Sequence, residues 1–427
     1  MISMGVLAAI LLILFFIVGM PVAFALGGAS AIAMLVDGNT DLILVCQRMF
    51  QGINSFPYLA LPFFILAGNL MASGGISDRM VNFASTMLGR VKGGLSLVAI
   101  LASMFFAAIC GSCAAVCAAV GAVLIPGMLN KGYDRNFAAA TVASGSCIGI
   151  IIPPSVPMIL FCIAAGISVG DAFMAGMVPG ILFGAALMLV AYFTCKKYGY
   201  DTDGRRYSMK EKWDAFVDAL PALMMPVIIL GGIYGGIFTA TEAACVAVVY
   251  GLIVGGLVYK ELKPSDMKRI FIDSAVGAAG VLLIISCAAV FAMLLTREQI
   301  PAKITQLMMN MVANKWVYLI IVNIIWIIMG MFMEISASVI ILTPLLLPAA
   351  LAFKINAYHF GVMMITNLAI GMVTPPFGLC LFVISDVAKV KLMPLLRRTM
   401  PYLVGMLIAL FLICVFPQIS LTLIGQA

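Results

Sequence analysis

Nine stretches of this 427-residue chain carry no Asp, Glu, Lys or Arg: residues 1–36, 49–77, 93–130, 136–170, 172–195, 219–241, 274–296, 355–385 and 399–427. A helix needs about 20 apolar residues to cross the hydrocarbon of a bilayer, and a water-soluble fold has no core able to hide so many such runs. Apolar residues make up 64% of the chain and charged residues 10%, against roughly 45–50% and 25% in soluble domains. The predicted fold class is therefore an all-α polytopic membrane protein. Residues 4–18 have the apolar core of a signal peptide, but no Lys or Arg precedes them and no small-residue cleavage site follows. They are read as the first helix.

Composition also excludes several functions. The net charge of +7 comes from basic residues in short loops rather than from one patch interleaved with aromatics, which argues against nucleic acid as a partner. Eleven Cys lie almost wholly inside apolar runs and read as small core residues, not as a disulfide framework or zinc site. With a single His, His359, no His-based metal or triad chemistry is available, and no cofactor or enzyme activity is expected.

The basic residues define a topology, because cytoplasmic loops carry the excess of Lys and Arg. With the N-terminus outside, crossings fall near 3–18, 22–36, 56–73, 136–168, 172–195, 219–237, 243–259, 274–296, 358–385 and 400–420. Segments 93–130 and 316–353 each return to the side they left. Arg48, Arg297, Lys303, Lys315 and Lys354 then lie outside, and the other 19 of the 24 basic residues lie inside, Arg90, Lys92, Arg205 and Arg206 among them. Both termini are placed on the outside. Residues 196–218 form the only long polar stretch, an inside linker with amphipathic character that separates 1–195 from 219–427.

The two halves repeat. At an offset of 222 residues, Ile148, Gly149, Pro153 and Pro154 fall on Ile370, Gly371, Pro375 and Pro376, giving the shared pattern I-G-x-x-x-P-P. Leu124 and Pro126 fall on Leu346 and Pro348 in the same register. The first unit starts outside and the second inside, so the repeat is inverted, an arrangement suited to alternating access around a central site.

Proline has no N–H to give the carbonyl four residues back. Gly149, Ile150, Gly371 and Met372 are accordingly expected to have free carbonyl oxygens where helices 136–168 and 358–385 break. Unwound backbone at membrane depth is tolerated where it lines a cavity or holds an ion, and oxygen ligands suit a hard cation such as Na⁺. Segments 93–130 and 316–353 have polar breaks at Gly111-Ser112-Cys113 and Glu334-Ile335-Ser336. Each is either a re-entrant hairpin or a pair of crossings. Glu334 is the one acidic residue deep in an apolar run, which makes it a functional candidate. No buried Arg announces a carboxylate, so an anion would be held by helix N-termini with Ser or Asn side chains.

At these residues the chain resembles the large membrane subunit of the tripartite ATP-independent periplasmic (TRAP) transporters. The likeness covers nearly the whole chain. It rests on Leu61-Pro-Phe-Phe-Ile-Leu-Ala-Gly-Asn69, Cys110-Gly-Ser-Cys113, Gly149-Ile-Ile-Ile-Pro-Pro-Ser155, Thr239-Ala-Thr-Glu-Ala-Ala244, Gly330-Met-Phe-Met-Glu334, Ile341-Leu-Thr-Pro344 and Asn367-Leu-Ala-Ile-Gly-Met-Val-Thr-Pro-Pro376. The resemblance implies an elevator in which two hairpins and two broken helices carry an organic acid and Na⁺ across a fixed scaffold. It implies a small membrane subunit and a periplasmic substrate-binding protein as partners. Carried over by motif, one Na⁺ site uses Cys110, Ser112, Gly149, Ile152 and Pro154, and a second uses Gly330, Glu334, Gly371, Thr374 and Pro376. Cys110 and Val116 depart from the family's pattern, in which a Ser and a polar residue are common, and a thiol is a poor Na⁺ ligand. The alternative expectation is a stand-alone sodium/dicarboxylate symporter that needs no binding protein.

Overall fold

The computed structural model describes residues 3–38, 41–88, 91, 93–200, 207–312, 314–376 and 378–426. Arg90, Lys92, Arg205 and Arg206 of the charge argument lie outside the described residues. Among the described residues every regular element is helical.

The first half contains α1 (Met4–Ile17), α2 (Val22–Asp37), α3 (Ile43–Ile53), α4 (Ala60–Ser73), α5 (Ile76–Leu88), α6 (Gly94–Cys110), α7 (Cys113–Asn130), α8 (Arg135–Ser146), α9 (Val156–Ala165) and α10 (Val169–Tyr198). The second contains α11 (Met209–Tyr234), α12 (Ala240–Leu252), α13 (Pro264–Arg297), α14 (Ile300–Met311), α15 (Lys315–Phe332), α16 (Ile335–Ala352), α17 (Ala357–Gly371), α18 (Leu379–Ala388), α19 (Leu392–Val415) and the short α20 (Gln418–Leu421). Moved by 222 residues, 113–130 becomes 335–352, the bounds of α16, and 94–110 becomes 316–332, one residue short of α15 at its start.

Short polar caps fix where these apolar helices begin. Asp134, Ser155, Ser168, Asn314, Glu334 and Asn356 each accept a bond from a backbone N–H of the helix they precede, and such a cap stabilises a helix by about 1 kcal/mol. Ser208 with Glu211, and Thr239 with Glu242, form reciprocal capping boxes at α11 and α12. The polar end of the 196–218 stretch is thereby the first turns of α11.

Nine described helices are long and apolar enough to cross a membrane by length and composition, among them α7, α15 and α16. The chain is a multi-pass membrane protein. Helices α1 and α2 have 14 and 16 residues, fewer than a perpendicular crossing of roughly 30 Å demands at 1.5 Å per residue. The stretch read as one crossing at 136–168 is two helices, α8 and α9, separated by a tight 3₁₀ turn at Cys147–Ile150 and the Pro pair.

Two groups of helices pack side by side. The frame consists of α1–α4 and α11–α13, in which α4 packs on α12 and α13, and α2 and α3 on α13, while α5 and α14 bridge to the other group, α5 lying between α11 and α6 and α14 packing on α16. Asn69 Nδ2 donates to Ser274 Oγ at 2.8 Å between α4 and α13. At one end of the frame the Arg79 guanidinium sits 3.2 Å from Asp218 and 2.7 Å from Glu261, with the Tyr259 ring 3.9 Å below it. The hairpin bundle consists of α6–α10 and α15–α19. Here α7 rests on α8 and on α18, while α16 rests on α17 and on α9, so each hairpin packs against the broken helix of the other half. Ile13, Val404 and Phe411 stay 58–64% exposed, as side chains facing lipid do.

Candidate functional site

The loops that end α6 and α15 turn sharply. Gly111 has φ +60°, and a Cβ there would stand 2.6 Å from the Pro154 carbonyl oxygen. Only glycine lets the first hairpin tip lie against the first helix break. On the other side of the same contact, a Cβ on Gly149 would meet Ser112 O at 3.1 Å, Cys113 N at 3.2 Å and Val116 Cγ2 at 3.1 Å. In the second half the approach is closer still, since a Cβ on Gly371 would lie 2.5 Å from Gly330 C and 2.6 Å from Gly330 Cα. Each hairpin thus presses its backbone onto the break that follows it.

Both Pro153-Pro154 and Pro375-Pro376 are cis. The expectation of four free carbonyls is corrected at three of them. Ser155 Oγ donates to Ile150 O at 2.6 Å, Thr374 N to Gly371 O at 3.0 Å and Cys380 N to Met372 O at 3.1 Å. A buried carbonyl without a partner costs about 1–3 kcal/mol, and residues flanking the proline pairs supply the missing donors, Ser155 and Cys380 from beyond them and Thr374 from just before the second. A carbonyl oxygen has a second lone pair, so these groups can still face a cation.

A cavity of about 150 Å³ lies where the breaks and tips meet. Ser112, Cys113 and Ala114 at the start of α7, Val156 and Pro157 at the start of α9, Ile335 and Ser336 at the start of α16, and Leu379 at the start of α18 all line it. Four helix N-termini therefore open on one space. Ile65 of α4 and Val281 of α13 close it from the frame. Its described lining includes Glu334 and no Lys or Arg. An adjoining cavity of about 250 Å³ shares Glu334, Met372 and Leu379 and reaches Gly330 and Phe382.

Glu334 is exposed and borders both cavities. It accepts from Ala337 N at 3.1 Å and from Ser336 Oγ at 2.9 Å, capping α16. Of the other residues named for a second ion site, Gly330 and Gly371 touch and Thr374 Oγ1 donates to Ile370 O at 2.7 Å. Pro376 is exposed next to them. For the first site, Ser112, Gly149 and Pro154 come together as described above. Ile152 packs its side chain on Gly180 of α10. Cys110 Sγ lies 3.9 Å from the Gly68 carbonyl of α4, so its thiol is turned to the frame. Among the described residues no group of three His, Cys, Asp or Glu is placed to hold a metal.

Sequence reasoning missed Ile65, Val281 and Leu379 as cavity residues. Ile65 lies inside the Leu61–Asn69 motif, a signal that pointed to it; Val281 and Leu379 carry none, since only the packing of α13 and the start of α18 bring them to the tips.

An all-helical, multi-pass bundle closed around a central cavity, with broken helices and hairpin tips on its walls, has the construction of a membrane carrier. The chain belongs to the family described as the DctM component of tripartite ATP-independent periplasmic transporters, which matches residues 9–419. It is 42% identical over 412 residues to the isethionate TRAP transporter permease protein DctMQ of Oleidesulfovibrio alaskensis, covering 96% of this chain and 65% of that longer protein. It is 38% identical over 427 residues to the C4-dicarboxylate TRAP transporter large permease protein DctM of Rhodobacter capsulatus, covering 97% of each. It is 38% identical over 405 residues to the sialic acid TRAP transporter large permease protein SiaM of Vibrio cholerae, covering 95% of each. These relatives are named as permeases, not enzymes. The fold is also that of the YdaH transporter of Alcanivorax borkumensis, with a TM-score of 0.59 at 14% identity over 84% of this chain and 86% of the other.

Proposed function

We propose that this chain is the large membrane subunit of a Na⁺-driven carrier that takes up an organic acid, such as a C4-dicarboxylate, sialic acid or a sugar acid, handed over by a periplasmic binding protein. The observation that carries this reading is the convergence of four helix N-termini and one carboxylate on a single cavity. Helix N-termini favour a bound anion by roughly 0.3–1 kcal/mol each, and more where partly buried. Glu334 beside a bound carboxylate would repel it, and with no Lys or Arg in the described lining the balance calls for a cation. Na⁺ fits oxygen donors of the kind present. One ion is assigned to Ser112, Gly149, Ile152 and Pro154 with the backbone at Cys110, and a second to Gly330, Glu334, Gly371, Thr374 and Pro376. The Thr374 hydroxyl proton is directed at Ile370 O, which leaves its oxygen lone pairs for the ion.

The two halves are inverted repeats, α6–α7 and α15–α16 are re-entrant hairpins, and both termini lie in the periplasm. The sharing of one cavity by both tips supports hairpins over full crossings, because tips at opposite faces could not meet. The hairpin bundle moves against the frame as an elevator, a reading supported by the course of their boundary through the cavity itself. A small membrane subunit widens the frame within the lipid bilayer. Uptake of labelled C4-dicarboxylate, sialic acid and sugar acid into proteoliposomes, with and without an inward Na⁺ gradient and the cognate binding protein, tests this. Accumulation is expected only with both. Accumulation with no binding protein added would favour the stand-alone symporter, and accumulation without Na⁺ would refute the coupling.

A further inference from the structure

A third cavity, of about 240 Å³, opens at the other end of the second hairpin, among Lys315, Trp316, Lys354, Asn356, His359 and Gln426. No Asp or Glu is among its described lining, and neither lysine is in an ion pair among the described residues. The first half provides an internal control for this place. Moved back by 222 residues, Lys315 falls on Gly93, Lys354 on Gly132 and His359 on Phe137. There the space is filled: Tyr200 stacks on Tyr133 at 4.8 Å and on Phe137 at 5.1 Å between ring centroids, and Asp134 pairs with Arg398 at 3.4 Å. One end of the molecule has an aromatic plug where the other has an open cationic cavity.

Lys354 is held in the left-handed conformation at φ +59°, which Gly132 adopts at φ +78° in the equivalent turn. Glycine takes that conformation freely and an L-residue does so at a cost. Lys260 at φ +57° likewise stands where the first half has Gly38 at φ +66°, but Lys260 is on the side read as cytoplasmic, where an excess of Lys is general. Lys354 is on the opposite side. Its side chain needs a local reason, and the cavity it shares with Lys315 gives one. Trp316 is 44% exposed with Lys315 Nζ 5.0 Å over its ring, a pairing suited to the level of lipid headgroups.

We propose that this cavity binds the phosphate of an anionic phospholipid headgroup of the outer leaflet. Lys315 and Lys354 supply the charge, Asn356 and His359 sit at its polar wall, and Trp316 faces the acyl boundary. The site is separate from the central cavity and does not depend on what is transported.

The test uses the purified full-length chain in detergent, titrated with phosphatidylglycerol, phosphatidylcholine and inorganic phosphate, with retained lipid counted by mass spectrometry and stability followed by thermal unfolding. Wild type is expected to prefer phosphatidylglycerol. Lys315→Ala/Lys354→Gly is expected to weaken that binding by about tenfold or more, while Lys354→Gly alone leaves the lipid-free protein as stable as wild type or more so. His359→Phe, which installs the residue that plugs the first half, is expected to lose the lipid with both lysines still present. Equal retention of phosphatidylglycerol by wild type, Lys315→Ala/Lys354→Gly and His359→Phe would overturn the site. Binding of inorganic phosphate by wild type with no preference between the two lipids would overturn the lipid source.

Discussion

Glu334 presents two oxygens to α16, one accepting from Ala337 N at 3.1 Å and the other from Ser336 Oγ at 2.9 Å, and the same carboxylate borders both central cavities. Capping and ion binding can therefore be separated by substitution. Glu334→Gln keeps an acceptor for Ala337 N and removes the charge, and it is expected to raise the Na⁺ concentration for half-maximal uptake at least about tenfold with expression intact. Glu334→Ala should add the loss of a cap, about 1 kcal/mol. An unchanged Na⁺ dependence in both would remove Glu334 from the ion site. Cys110 makes the opposite case. Because its Sγ points at Gly68 of α4, Cys110→Ser is expected to leave the Na⁺ dependence of uptake within twofold of wild type.

Among the elements, the breaks depend on glycines that let backbone meet backbone. Gly371→Ala would drive a Cβ to 2.5 Å from Gly330 C, where no flexible side chain can give way. The expected cost is on the order of 1–3 kcal/mol, read as lower thermal stability and lost uptake. Gly127→Ala in α7, where a Cβ meets nothing within 4 Å, is the control and should stay at or above wild type. Ser155→Ala strips Ile150 O of its donor and should cost about 1–3 kcal/mol. The breaks themselves were legible in the Pro pairs, since a missing N–H is a property of the residue. Their repair was not, because it needs Cys380 N to return over eight residues and Ser155 to turn inward, and both follow from packing. Glu334 could be picked out by its isolation among apolar residues, whereas its exposure to a cavity depends on how two hairpins from opposite halves meet.

At the scale of the molecule, the charge-free runs specify a helical membrane protein, and the 222-residue offset matches the bounds of α7 to those of α16. Which helices form the frame could not be read in that way, because α4 and α13 are as apolar as the helices they face. The frame contributes Ile65 and Val281 to the cavity and the hairpins contribute Ser112 and Ile335. If the two groups move past each other, a short thiol cross-link between Val281→Cys and Ile335→Cys, in a Cys46→Ser/Cys113→Ala background that removes the exposed thiol and the one lining the cavity, should stop uptake reversibly. Full uptake by the cross-linked protein would mean that the groups do not separate.

If one space holds the organic acid and Na⁺ together, the most direct measurement is their mutual effect on affinity. With whichever acid the proteoliposomes accumulate, Na⁺ affinity of the purified protein is measured with and without the acid, and acid affinity with and without Na⁺. Linkage requires the two factors to be equal, and shared occupancy predicts that each ligand tightens the other severalfold, with the effect lost in Glu334→Gln. Affinities that ignore each other would contradict it.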